Sequence, residues 1–146
     1  MAVLIVLFAS WTIFRVIGAL GVDALGTWRH SAVYALAVMF VFTAVAHFNK
    51  MKHDLARMIP AIFPHPMLLI YVTGVLELLG ALGLLLSPFR RLAGICLAIM
   101  LIGLFVANVN AARTGVTLRG KPATNLWLRT PMQILFIWLL LWSTKP

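Results

Sequence analysis

Five uninterrupted apolar runs of about twenty residues each, separated by short basic loops, constrain this 146-residue chain more than any other feature. They cover about residues 2–22, 31–49, 67–87, 92–111 and 125–143. At roughly 1.5 Å rise per residue each reaches about 28–32 Å as a helix, which matches a hydrocarbon core of about 30 Å. The residue composition agrees: 63% is apolar, only 10% is charged and the mean hydropathy is +1.04. Water is not the solvent for such a surface. A bilayer admits helices or a closed barrel, and barrel strands would alternate apolar and polar residues. These runs do not alternate. The expected fold is therefore an all-α integral membrane bundle of about five spans in a single domain, residues 1–146. The first run has no basic leader and no A-x-A cleavage site, so it reads as a retained helix.

Charge follows the same division. Twelve Lys and Arg stand against three Asp and Glu, for a net charge of +9. The basic residues lie mostly between the apolar runs, where they would meet anionic headgroups. No recognition motif accompanies them, so no nucleic-acid partner is expected. With five spans, the N-terminus and the loops 50–66 and 112–124 share one face. Those loops hold Lys50, Lys52, Arg57, Arg113, Arg119 and Lys121; the other face holds Arg29, Arg90, Arg91 and Lys145. Six cations against four place the N-terminus in the cytoplasm by the positive-inside rule, in what reads as a bacterial inner membrane.

Two stretches need separate treatment. In residues 50–66, KMKHDLARMIPAIFPHP, the residues Met51, Leu55, Met58 and Ile59 recur at helical spacing among Lys50, Lys52, His53, Asp54 and Arg57. This predicts a short amphipathic helix in the interface, stopped by Pro60, Pro64 and Pro66. In the fifth run, Pro131 either kinks a helix that begins near Asn125 or starts one, with Thr130 as cap and Gln133 completing a capping box. The longer helix is preferred, because a start at Pro131 leaves only about 20 Å. Trp127, Trp138 and Trp142 would be interfacial or lipid contacts. The single cysteine, Cys96, cannot form an internal disulfide or a CxxC pair and reads as a small buried hydrophobe.

Ionisable groups inside spans are rare and usually functional. Glu77 sits in the middle of YVTGVLELLGALGLLL, roughly 15 Å from the face carrying the 50–66 loop. Thr73, Gly74, Gly80 and Ala81 lie beside it at i±3 and i±4, a small-residue face suited to close helix packing. His47, Asn108, Arg129 and Gln133 come from three other runs but belong to the same half of the bilayer. Connectivity therefore predicts a polar pocket open to one face, with Glu77 at its floor. Glu77, His47 and Arg129 are the candidate catalytic residues, and Asn108, Gln133, Arg15 and Asp54 the candidate substrate-binding ones. A purely structural alternative is an Arg15–Glu77 or Arg129–Glu77 ion pair that locks the helices. The histidines at 30, 47, 53 and 65 show no metal-ligand spacing; a His47–His53–Asp54–Glu77 site would need a fold to assemble it, and no metal is expected.

Several of these segments, taken together, resemble the DoxX family of small membrane proteins. They are HF at the end of a span, MIPAIFPHP, YVTGVLELLGALGLLL, RRLAG, FVANVNAA and LRTPMQILFIWLLLW, within about residues 31–143. The resemblance implies a four-helix membrane core with an added N-terminal span, and His47, Pro60, Glu77, Asn108, Arg129 and Gln133 stand at positions resembling the family pattern. It associates the chain with thiosulfate:quinone oxidoreductase systems and relates the fold to vitamin K epoxide reductase. The paired cysteines of such reductases are missing here, so a dithiol mechanism does not carry over. The expected function is binding of a lipophilic small molecule, a quinone being one candidate, or of a membrane oxidoreductase partner, in the pocket around Glu77. A cofactor-independent isomerase or hydratase using Glu77 as acid or base is the alternative, and a proton-coupled carrier, which would need a homo-oligomer, ranks below both.

Overall fold

The computed structural model describes residues 2–118 and 120–145, the Lys121 side chain excepted. Arg119 and the Lys121 side chain, counted above among the loop cations, lie outside the described residues. Among those residues there are six helices: α1 (Ala2–Ala19), α2 (Trp28–Phe48), α3 (Lys52–Met58), α4 (Pro66–Leu85), α5 (Arg90–Thr114) and α6 (Leu126–Ser143). All but α3 are long and apolar enough to cross a bilayer. The protein is an all-α helical membrane bundle.

Helix ends follow local chemistry. Thr27 caps α2, its side chain accepting from the His30 amide at 3.1 Å. Pro66 opens α4, where a missing amide hydrogen costs nothing. Gly115, at φ 66°, ends α5 in the left-handed conformation that glycine tolerates. Asn125 caps α6, accepting from the Trp127 amide at 3.2 Å, and Pro131 lies inside that helix. The longer reading of the fifth run therefore holds, and Gln133 is released from capping for another use. A two-stranded antiparallel hairpin, Thr117–Leu118 with Lys121–Pro122, fills the α5–α6 connection; no alternation in so short a stretch signals it.

Helices α2, α4, α5 and α6 form a closed ring, each packed on the next, with α6 returning to α2. α1 packs on the outside of α2 and buries only Leu7. The core runs along α2, where Val33, Leu36, Met39 and Phe40 meet Leu84, Leu97, Leu139 and Leu140. Large side chains such as Ile5, Val41, Leu79, Ile99 and Ile134 point outward, as a lipid-facing surface requires. α3 lies across the end of the ring with Met58 buried and His53 and Arg57 exposed, the amphipathic arrangement expected of it. Its last turn is tied down by Asn110, whose amide donates to the Met58 carbonyl at 2.9 Å.

Close approach within the ring rests on small residues. A Cβ built on Gly74 would lie 2.6 Å from the His47 Cβ, and one on Gly80 2.4 Å from Leu97 Cδ2. α4 therefore presents Gly74 to α2 and Gly80 to α5. Cys96 departs from expectation: it is exposed, on the outer side of α5, because Ala93, Gly94, Leu97 and Ala98 take the inward positions of that turn. Gly74→Ala should destabilise the protein by about 1–3 kcal/mol through overpacking against a neighbour that sits on backbone. Gly103→Ala, at a site with nothing within 4 Å, should leave stability unchanged or slightly raised. Thermal unfolding in one detergent compares the two.

Candidate functional site

The polar residues of the spans gather in two clusters, both nearer the α3 end of the bundle than the other end. The first joins α2 to α4. Glu77 is 4% exposed and His47 7%. Glu77 lies on the α4 turn that follows Gly74, and the absence of a side chain there lets α2 come close enough for contact. The Thr43 hydroxyl donates to Glu77 Oε2 at 2.9 Å. His47 Nε2 lies 3.7 Å from Glu77 Oε1, within ion-pair reach and too long for a hydrogen bond. The other imidazole nitrogen, Nδ1, faces the Ile70 carbonyl at 2.8 Å and the Thr73 hydroxyl at 3.2 Å.

That geometry fixes the tautomer. A carbonyl can only accept, so Nδ1 carries the hydrogen. Nε2 is then bare unless the ring is a cation, and it faces a carboxyl oxygen. One proton, on His47 or on Glu77, makes the contact attractive; without it two lone pairs oppose each other. The contact thus brings two titratable groups together between α2 and α4.

The second cluster joins α5 to α6. Arg129 Nη1 donates to Asn108 Oδ1. Asn108 Nδ2 donates in turn to Gln133 Oε1 at 3.5 Å, and Gln133 Nε2 to the Leu101 carbonyl at 2.6 Å. Each amide is oriented by the next, and the last is anchored on backbone. Four residues apart on α6, Arg129 and Gln133 share one face, as the sequence spacing required.

The single pocket expected from connectivity is therefore divided. Among the described residues no hydrogen bond or ion pair links Glu77 to Arg129, Asn108 or Gln133. Depth in the membrane was legible; rotation about each helix axis was not, and it turns Glu77 towards α2. Neither ion pair considered for Glu77 forms. Arg15 lies over the Trp28 ring at 5.2 Å, at the start of α2. Thr43 and Trp28 are separated by about 22 Å along that helix, so Arg15 belongs to the opposite half of the bundle and cannot serve this site. Asp54 also stays outside it, accepting from Arg57 one turn away on α3. Exposed His53 and buried His47 lie apart, and among the described residues no three His, Cys, Asp or Glu side chains gather as a metal site. Thr43 and Thr73 were not singled out for Glu77 and His47, although their places one turn from Glu77's partner and from Glu77 itself are the signal that could have found them.

Two hollows on the surface lie elsewhere. One of about 400 Å³ runs between α4 and α5, and one of about 540 Å³ flanks the start of α6 beside Trp127 and Pro131. Neither is lined by Glu77, His47 or Arg129.

Thr43→Val keeps the shape of the side chain and removes the hydroxyl that donates to Glu77 Oε2. It should cost about 1–3 kcal/mol, read as a lowered unfolding midpoint, while Thr12→Val on the exposed face of α1 should not move it.

Residues 36–144 match the family model of DUF8561, a domain of unknown function, and the chain belongs to that family. The match begins within α2 and ends with α6, so it takes in the four-helix ring and leaves out α1. No curated protein and no solved structure matches the chain.

Proposed function

We propose that this member of the DUF8561 family binds a lipophilic small molecule at the α5–α6 cluster, with Arg129 as the principal donor. The observation that carries this reading is the state of Arg129. It lies inside a span, and among the described residues it has no carboxylate partner. The chain has three acidic residues: Glu77 is engaged by α2, Asp54 by Arg57, and Asp23 sits beyond the other end of α2. A cation held in a span by neutral amides has donors to offer, and a carbonyl or anionic oxygen of a ligand is what they suit.

The resemblance to DoxX proteins supports a quinone as the ligand class, since a quinone carbonyl accepts from a guanidinium while its tail stays in lipid. It equally supports a membrane oxidoreductase that shares that quinone as a partner. The excess of cations in the loops at the α3 face supports an orientation with that face in the cytoplasm.

A second reading rests on a different observation, the 3.7 Å approach of His47 to Glu77. A carboxyl and an imidazole side by side are the parts of an acid–base catalyst for a lipophilic substrate, as an isomerase or hydratase would need.

A short-tailed ubiquinone analogue added to delipidated protein should quench tryptophan fluorescence saturably, because Trp127 stands two residues from Arg129. Arg129→Gln should weaken that binding by about tenfold or more, the worth of a hydrogen bond to a charged group. Glu77→Gln should leave it unchanged. Unaltered binding in Arg129→Gln would remove the proposal. Binding lost in Glu77→Gln with a normally folded protein would favour the acid–base reading.

A further inference from the structure

The groove between α4 and α5 and the basic end of the bundle beside it have no part in either polar cluster. The groove has a sequence cause. Gly80 and Gly83 let Leu97 and Ala93 of α5 come down onto the α4 backbone and form its floor, and Ala93 and Cys96 keep the facing side of α5 low. Leu76 and Met100 close its inner end, and Leu86 and Phe89 stand at its mouth. From Leu76 to Leu86 it is about 15 Å long, half of a hydrocarbon core of about 30 Å. It is almost wholly apolar and opens on the lipid side, where Leu79, Leu82 and Leu92 are exposed.

Arg90 and Arg91 follow Phe89 directly. Arg90 Nε donates to the Leu84 carbonyl at 2.9 Å and Arg91 Nη1 to the Leu141 carbonyl at 3.3 Å. Arg29 donates to the Lys145 carbonyl at the same end. The first two bonds hold Arg90 and Arg91 over C-terminal carbonyls of α4 and α6, where positive charge is favoured, and each guanidinium has further N–H donors. Four cations, Arg29, Arg90, Arg91 and Lys145, meet one acid, Asp23, at this end.

We propose that this is a binding site for a phospholipid with an anionic headgroup: the phosphate lies on Arg90 and Arg91, and one acyl chain fills the α4–α5 groove. The groove is one leaflet deep, and the charge at its mouth is complementary to a phosphate. A second copy of the chain fits less well, because its own loops carry the same positive charge and would repel.

Native mass spectrometry of the full-length, delipidated protein tests this with phosphatidylglycerol and phosphatidylcholine of identical acyl chains. Phosphatidylglycerol should bind about tenfold tighter or more, and Arg90→Gln with Arg91→Gln should reduce that preference to near unity. Cys96→Phe fills the groove and should weaken both lipids with the arginines intact. A second measurement needs no arginine variant: alkylation of Cys96, which lines the groove, should slow several-fold with phosphatidylglycerol and much less with phosphatidylcholine. Equal binding of the two lipids by the wild type overturns the proposal, as does a preference that survives the double substitution in folded protein. Protection of Cys96 by dimerisation without lipid overturns it in favour of a second copy.

Discussion

Inside a bilayer a carboxyl group has no water to fall back on, so it must find its partners within the protein. Glu77 finds them on α2, and much of the bundle is arranged around that requirement. Thr43 and His47 lie one turn apart on α2, and Gly74 lets their helix approach α4 closely enough for both to reach Glu77. α2 is in turn the most buried helix, contacting α1 on one side and α4 and α6 on the other. Replacing water at Glu77 therefore determines which two helices of the ring lie closest.

The same requirement is met differently by Arg129. Its partners are neutral amides, and the line from Arg129 through Asn108 and Gln133 to the Leu101 carbonyl orients the side chains without neutralising the charge. One cluster joins α2 to α4 around a carboxyl group; the other joins α5 to α6 around a guanidinium. A single pocket would have cancelled the two, because Glu77 beside Arg129 makes an ion pair. Their separation gives each group partners of its own.

The spans were legible in the sequence because a bilayer demands about twenty apolar residues per crossing, and hydropathy alone reveals that. The α3 helix was legible from the spacing of Met51, Leu55 and Met58, and the start of α6 from the length a span needs. What could not be read was azimuth. On a helix that is apolar all round, the amphipathic signal that points one face inward is nearly lost, so Asn108 and Gln133 could be given a depth but not a neighbour. Cys96 shows the same limit: in an apolar run, its exposure depends on which side of α5 meets α4. Arg15 was taken to lie within an arginine's reach of Glu77, but its place over the Trp28 ring puts it in the other half of the bundle, a depth that counting residues from the start of α1 did not give.

The direction of the hydrogen bonds along the chain has a consequence for biosynthesis. Thr43 and His47 precede Glu77, and Leu101 and Asn108 precede Arg129 and Gln133. Glu77 and Arg129 thus enter the membrane after the helices that carry their partners have been made. Glu77 does not have to wait for later spans, and α6 can dock as the last piece onto groups already waiting on α5. The Arg29–Lys145 contact, between the first residues of α2 and a residue just past α6, can form only once α6 has been made.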